Sequence, residues 1–233
     1  PVVREATKLL GIKKGIEMVH NADLPARSGL GSSSTFTVGL LNALYAMKNQ
    51  MVTKRELALN AINLEQNIIG EAVGSQDQTI AAFGGFNLIE FNKAQTFQVQ
   101  EMPVSESRLK SLEENLILCF TGFARTAEDI AKSQIESTPF KEKELIKMNE
   151  ITNKAKEIIL DKKISIDEFG KLLNEQWFLK KSLTEYISNE AIDEIYNTAL
   201  NSGAIGGKLL GAGGGGFFLF YAKKKNHQKI KES

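Results

Sequence analysis

Three stretches of this chain hold residue types whose spacing suits chemistry on a phosphate. The first is Pro25-Ala26-Arg27-Ser28-Gly29-Leu30-Gly31-Ser32-Ser33-Ser34, followed by an apolar helical pattern at Val38, Leu41, Leu44 and Tyr45. Glycines let backbone N–H groups converge on an anion, and a helix N-terminus adds partial positive charge. Serine hydroxyls add donors, and their oxygens can ligate a hard divalent cation. A serine-rich helix cap is the plainer account of the same residues. The second stretch carries Glu65 and Asp77, with Gly70 and Gly74 between them. Glu65 stands at i+4 from Ala61 and i−4 from Ile69, on the apolar face of a helix. A carboxylate there needs a partner, so it is either an amphipathic edge position or a cation ligand. Asp77, in the polar run Gly74-Ser75-Gln76-Asp77-Gln78, reads alone as a turn or cap residue. Beside a phosphate cradle both carboxylates gain a use. Phosphoryl transfer needs one group to hold a charge-neutralising cation and another to orient or deprotonate a hydroxyl.

The third stretch runs from Gly206 to Gly216, in a region where eight of the chain's 19 glycines fall between Gly203 and Gly216. Such a density permits close backbone approach to a ligand or another loop, or else a strained hairpin between strands. Gly211-Ala212-Gly213-Gly214-Gly215-Gly216 formally satisfies G-x-G-x-x-G. A dinucleotide fingerprint must follow a strand and open a helix, whereas an apolar strand follows here. Lys208 is followed by Leu209 where a Walker lysine requires Ser or Thr, so that motif is rejected as well. Two histidines, His20 and His227, build neither a catalytic triad nor a zinc site. The single cysteine, Cys119, excludes an intrachain disulfide and reads as a buried inert thiol; Trp177 reads as core.

The elements that must position these residues follow from periodicity and punctuation. Residues 1–10 read as the end of a helix and 15–21 as a short alternating strand. A helix starts near Ser34 and ends near Met47; Thr53 opens the next, with Glu56 completing a capping box. Residues 70–79 read as irregular, 86–91 and 116–121 as strands. Helices are expected over 125–136, 141–160, 167–182 (capped by Ser165 with Glu168) and 189–201, and a last strand over 217–221. The mixture lacks βαβ alternation, so the class is α+β. The polar stretch 100–111 marks a domain boundary, giving domains 1–105 and 106–233.

The composition is that of an ordinary globular protein. Lys plus Arg total 29 and Asp plus Glu 28, so no basic field for nucleic acid exists. Five C-terminal lysines, Lys223, Lys224, Lys225, Lys229 and Lys231, read as a solvated tail. No run approaches a membrane span and no signal peptide is present, which points to the cytoplasm. The start at Pro1 suggests a trimmed or partial chain.

In this order the motifs resemble the GHMP kinase superfamily, which joins galacto-, homoserine, mevalonate and phosphomevalonate kinases. Its Pro-x-x-x-Gly-Leu-Gly-Ser-Ser loop is matched by residues 25–33, its C-terminal Gly-rich loop by 208–216, its acid–base Asp by Asp77 and its metal-ligating Glu by Glu65. Residues 24–36, 65–91, 121–127 and 208–221 are most similar to heptose 7-phosphate kinases. The resemblance implies a ribosomal-protein-S5-like N-terminal domain, incomplete here, and a ferredoxin-like C-terminal domain, with the active site between them. It implies ATP as donor, Mg²⁺ as cofactor and a small sugar phosphate as substrate, phosphorylated at the anomeric C1 hydroxyl. Ser28, Gly29, Leu30, Gly31, Ser32, Ser33 and Ser34 would hold the ATP phosphates, Ser33 and Glu65 the Mg²⁺, and Asp77 the sugar hydroxyl. Gly213 and Gly214 would touch the substrate. Arg27 and Arg125 have no counterpart in the general motif; their bidentate geometry suits the 7-phosphate, and a surface ion pair is the competing reading for each. Another small-molecule alcohol, or a relative that binds ATP and sugar without turnover, are the alternatives. Neither nucleic acid nor membrane is expected as a partner, and a homodimer is left open. The family's first motif, a Pro-Gly-Arg-type segment, is absent, so roughly a hundred upstream residues, a small domain's worth, are expected to be missing.

Overall fold

The structure is a computed structural model that describes residues 1–23, 28–92, 96–122 and 127–233, with backbone only at 127 and 128. The described chain divides into two compact units: residues 1–23 and 31–102 form one, and residues 28–30 and 103–233 the other. The class is α+β.

The first unit is built on helices α1 (Val2–Leu9), α2 (Ser32–Met47) and α3 (Lys54–Asn63). Ala6, Leu10, Leu41, Leu44, Leu57, Ala61 and Leu64 form its core. Thr53 accepts from the Glu56 backbone N–H while the Glu56 carboxylate accepts from the Thr53 N–H, so the expected capping box is present. The α3 axis runs on through a wider π-helical turn, Leu64–Ile69, which ends at the left-handed Gly70. Helix α4 (Gln76–Phe83) follows, then the antiparallel hairpin of β1 (Asn87–Phe91) and β2 (Phe97–Glu101). Arg55 of α3 ties this hairpin down, donating to the Phe97 carbonyl at 2.8 Å with its guanidinium over the Phe97 ring.

The second unit holds α5 (Glu106–Glu113), β3 (Leu116–Phe120), α6 (Ala127–Ser137), α7 (Glu142–Leu160), α8 (Asp167–Lys181), α9 (Glu190–Asn201), β4 (Ala204–Leu209), β5 (Phe217–Ala222) and α10 (His227–Glu232). The strands make one antiparallel sheet in the order β3-β5-β4. Alternate residues of β5 enter two cores, as period-2 geometry requires. Phe218 and Phe220 pack with Trp177, Ile192 and Tyr196, and Tyr221 with Leu112, Ile158 and Leu172.

Several expectations are corrected. Residues 15–21 form no strand; their alternation is short and nothing pairs with it among the described residues. Asp77 lies in the first turn of α4, not in an irregular loop. The stretch 100–111, read as a domain boundary, holds the end of β2 and most of α5, and the two compact units divide between Met102 and Pro103. Ile166, not Ser165, caps α8; the Ser165 hydroxyl accepts from the Asp167 N–H, and Glu168 pairs with Lys171. Cys119 is only half-buried. The five C-terminal lysines are exposed, as expected of a solvated segment, but the segment is ordered: a 3-10 turn at Lys224–Asn226 leads into α10, which buried Ile230 anchors, and Lys223 is salt-bridged to Asp167.

Candidate active site

In the first unit, α2 begins at Ser32 and is capped by Gly31, whose φ of 70° is left-handed. Only glycine adopts that backbone without strain. A side chain there would also strike Asp77: a Cβ on Gly31 would stand 3.0 Å from the Asp77 carboxyl carbon. The carboxyl group of α4 therefore lies directly against the first residues of α2. Glu65, in the π-helical turn, is 1% exposed. Its Oε2 accepts from the Ser34 hydroxyl at 2.9 Å and from the Gln78 amide, while its Oε1 is buried without a partner.

This arrangement is electrostatically unfinished. A buried carboxylate with one oxygen unsatisfied costs more than one fully hydrogen-bonded. Burial first, and the charge of Glu65 second, hold the Asp77 carboxyl above its ordinary range. Both costs fall when a cation sits against Glu65. The donor set of one carboxylate and neighbouring serine hydroxyls has the oxygen character a hard divalent ion such as Mg²⁺ takes. Among the described residues no three His, Cys, Asp or Glu side chains gather to hold a metal. The hydroxyl that reaches Glu65 is that of Ser34; Ser33 is exposed on the same turn.

In the second unit the two loops singled out in the sequence meet. A Cβ on Gly29 (φ 79°) would lie 3.0 Å from the Leu210 carbonyl oxygen, and one on Gly211 2.7 Å from the Gly29 Cα. The Phe217 N–H donates to the Ser28 carbonyl at 3.2 Å. Residues 28–30 are thus docked backbone to backbone on the Gly-rich loop. That loop is the connection of the β4–β5 hairpin, so the hairpin and close-approach readings hold together. Thr121 braces it, its hydroxyl donating to the Gly216 carbonyl at 2.9 Å and accepting from the Gly216 N–H at 3.0 Å. Gly214 donates to the Ile187 carbonyl at 2.9 Å, and Gly213 backs onto Ile187. Ser28 is buried with its hydroxyl unpartnered.

The sequence reading thus finds Gly31, Ser34, Glu65 and Asp77 gathered in the first unit, and Ser28, Gly29, Leu30, Gly213 and Gly214 in the second. Arg27 and Arg125 lie outside the described residues. Gln78, Thr121 and Lys180 were missed. Gln78 follows Asp77 directly and could have been sought by helical phase; Thr121 opens one of the stretches that carry the resemblance, and Lys180 carries no local signal.

The comparisons place the chain. Residues 2–85 match the GHMP kinases N terminal domain, and residues 151–233 match GHMP kinases C terminal. These matches define the architecture as that of the GHMP kinases, and the chain belongs to the GHMP kinase family. It is 35% identical over 195 residues to the D-glycero-alpha-D-manno-heptose 7-phosphate kinase of Campylobacter jejuni, covering 82% of this chain and 57% of that protein. It is 30% identical over 203 residues to the mevalonate kinase of Pyrococcus horikoshii, covering 85% of this chain and 57% of that one. Among solved structures, a D-glycero-D-manno-heptose 1-phosphate kinase from Bacteroides thetaiotaomicron superposes with a TM-score of 0.67 at 26% identity, over 98% of this chain and 66% of that chain. The chain therefore spans somewhat over half the length of the curated relatives it matches.

Proposed function

We propose that this chain carries the phosphate-binding and acid–base parts of an ATP-dependent kinase. Its substrate in this reading is D-glycero-D-manno-heptose 7-phosphate. The γ-phosphoryl group passes to the anomeric C1 hydroxyl, giving a heptose 1,7-bisphosphate that feeds nucleotide-activated heptose for surface glycans. The observation that carries the reading is Glu65, buried with an unsatisfied oxygen beside Ser34, with Asp77 held against the first turn of the same helix.

Each residue has a task. The backbone amides and hydroxyls of residues 28–34 cradle the ATP phosphates at a helix N-terminus. Glu65 with Ser33, and Ser34 behind it, hold the cation. When bound, Mg²⁺ neutralises charge on the phosphates. Asp77 orients the sugar hydroxyl and accepts its proton as the new O–P bond forms. The bond from the γ-phosphorus to the β–γ bridging oxygen breaks, and ADP leaves. Burial and the charge of Glu65 raise the Asp77 carboxyl, which makes its carboxylate a stronger proton acceptor than that of an exposed aspartate. Arg27 and Arg125 are assigned to the 7-phosphate, and Gly213 and Gly214 to the substrate. Residues 1–105 are assigned as a partial N-terminal kinase domain and 106–233 as the C-terminal one. The enzyme acts in the cytoplasm on small molecules, and the described chain has no helix long and apolar enough to cross a membrane.

The substrate assignment is supported by the 35% identity to a heptose 7-phosphate kinase. Mevalonate kinases among the relatives support a second reading, a mevalonate-type alcohol. An ADP-release assay over heptose 7-phosphate, galactose and mevalonate separates them. Heptose 7-phosphate should give the highest kcat/KM. A higher value for mevalonate would replace the substrate, and Mg²⁺–ATP binding without ADP release would replace catalysis by binding. Asp77→Asn should lower kcat by about 10³-fold, with ATP affinity nearly unchanged; an Asn chain with normal turnover would remove Asp77 from its role.

A further inference from the structure

A lysine that the proposed chemistry does not use lies beneath the Gly-rich loop. Lys180, near the end of α8, is 6% exposed. Its Nζ donates to the Leu209 carbonyl at 2.9 Å and to the Gly211 carbonyl at 2.5 Å. Among the described residues it forms no ion pair. Lysine is rarely buried so fully without a carboxylate, because desolvating its charge is costly. Here two carbonyls that straddle one residue offset part of that cost. Leu209 ends β4, Leu210 donates from its N–H to the Phe217 carbonyl at 2.9 Å, and Gly211 opens the loop.

Residues 209–211 are also the ones that meet the other loop. The Leu210 carbonyl lies against Gly29, and Gly211 rests on the Gly29 Cα. Glycine on both sides leaves no side chain to set the spacing, so the position of one backbone sets that of the other. One side-chain nitrogen therefore fixes the surface on which residues 28–30 rest.

We propose that Lys180 is a positioning residue: by gripping the Leu209 and Gly211 carbonyls it sets the place of residues 28–30, and through them the affinity for the nucleotide phosphates. The second half of this statement rests on the reading that residues 28–34 hold ATP. Lys180 touches neither substrate nor nucleotide in it.

Lys180→Met keeps the apolar stem and removes both donors. Hydrogen exchange of the ligand-free chain tests the grip. Amides of residues 209–217 and 28–30 should exchange about tenfold faster, the loss expected for one or two hydrogen bonds, while those of α9 and β3 stay as in the parent. Unchanged loop exchange overturns the proposal, and so does a rise spread evenly over the second unit, which would make Lys180 a packing residue. Lys180→Arg, which retains donors, should restore loop protection at least in part. If the Met chain does not fold, Lys180→Gln is read instead; it keeps a neutral amide donor on a shorter stem and should show intermediate exchange confined to the loop, and parent-like exchange in it overturns the grip. In the kinase assay Lys180→Met should raise the KM for ATP about tenfold and move kcat little. A fall in kcat alone overturns the positioning role. If the parent chain binds no nucleotide, the kinase reading fails, while the exchange experiment still decides the grip.

Discussion

Glu65 is a carboxylate folded away from water with one oxygen bonded and the other idle. Its charge has no cationic partner among the described side chains. Replacing it by glutamine keeps an oxygen for Ser34 and Gln78 and removes the charge. Glu65→Gln should therefore leave the ligand-free melting temperature unchanged or slightly higher, since a lone buried charge opposes folding. The same variant should lose at least about tenfold in Mg²⁺–ATP affinity. Thermal scans with and without Mg²⁺–ATP check both halves, and a Gln chain stabilised by the complex as strongly as the parent would remove Glu65 from the cation site. That Glu65 is special was legible, because a carboxylate at i+4 from Ala61 on an apolar face demands a reason. Which serine meets it was not. Successive helical residues point about 100° apart, so the choice between Ser33 and Ser34 depends on α2 starting at Ser32, a boundary that three serines in a row leave open.

At the scale of elements, legibility follows how much of the signal is local. The Thr53–Glu56 box is a four-residue device and forms as written. Helices α2, α7 and α9 announce themselves by apolar period, and Asn189 caps α9. Strand β4 does not, because Gly206-Gly207-Lys208 looks like loop. Gly206 is there for packing rather than for turning: a Cβ would come 2.9 Å from the Asn174 backbone N of α8. The glycine excess thus has two causes, loop backbone that meets loop backbone, and a strand that lets a helix lie close. Gly206→Ala must push α8 away from β4. It should cost about 1–3 kcal/mol, in the range of overpacked cores, read as a lower urea midpoint. A midpoint equal to the parent's would show that the helix has room to move. Residues 70–79 hid α4 for a related reason: Gly70 and Gly74 break the pattern, and Ser75 precedes a helix of only eight residues.

For the molecule as a whole, the two units can be followed separately, because Trp177 is the only tryptophan and is fully buried in the second unit. Its emission reports the unfolding of that unit. Burial, and then the charge of Lys208, pull Lys180 down to about 7. Burial lowers Lys208 as well. In the unfolded chain lysine titrates near ~10.4. Between those values the unfolded state binds more protons than the folded one, so stability must rise with pH. Below the folded value both states are protonated and the penalty of burying the charge is complete. The slope for one such lysine approaches about 1.4 kcal/mol per pH unit. Cys119, raised by burial, works in the opposite direction, but only near and above its unfolded value of ~8.5. The window from about pH 7 to 8.5 therefore belongs to Lys180. Urea midpoints read from Trp177 emission should climb across it in the parent and climb less in Lys180→Met. The two results bear on separate things: the climb shows that the lysine is buried with its charge poorly met, and loop exchange shows what the burial is for. A flat or falling parent profile would mean that the two carbonyls, and whatever water reaches them, solvate the ammonium as well as bulk solvent does.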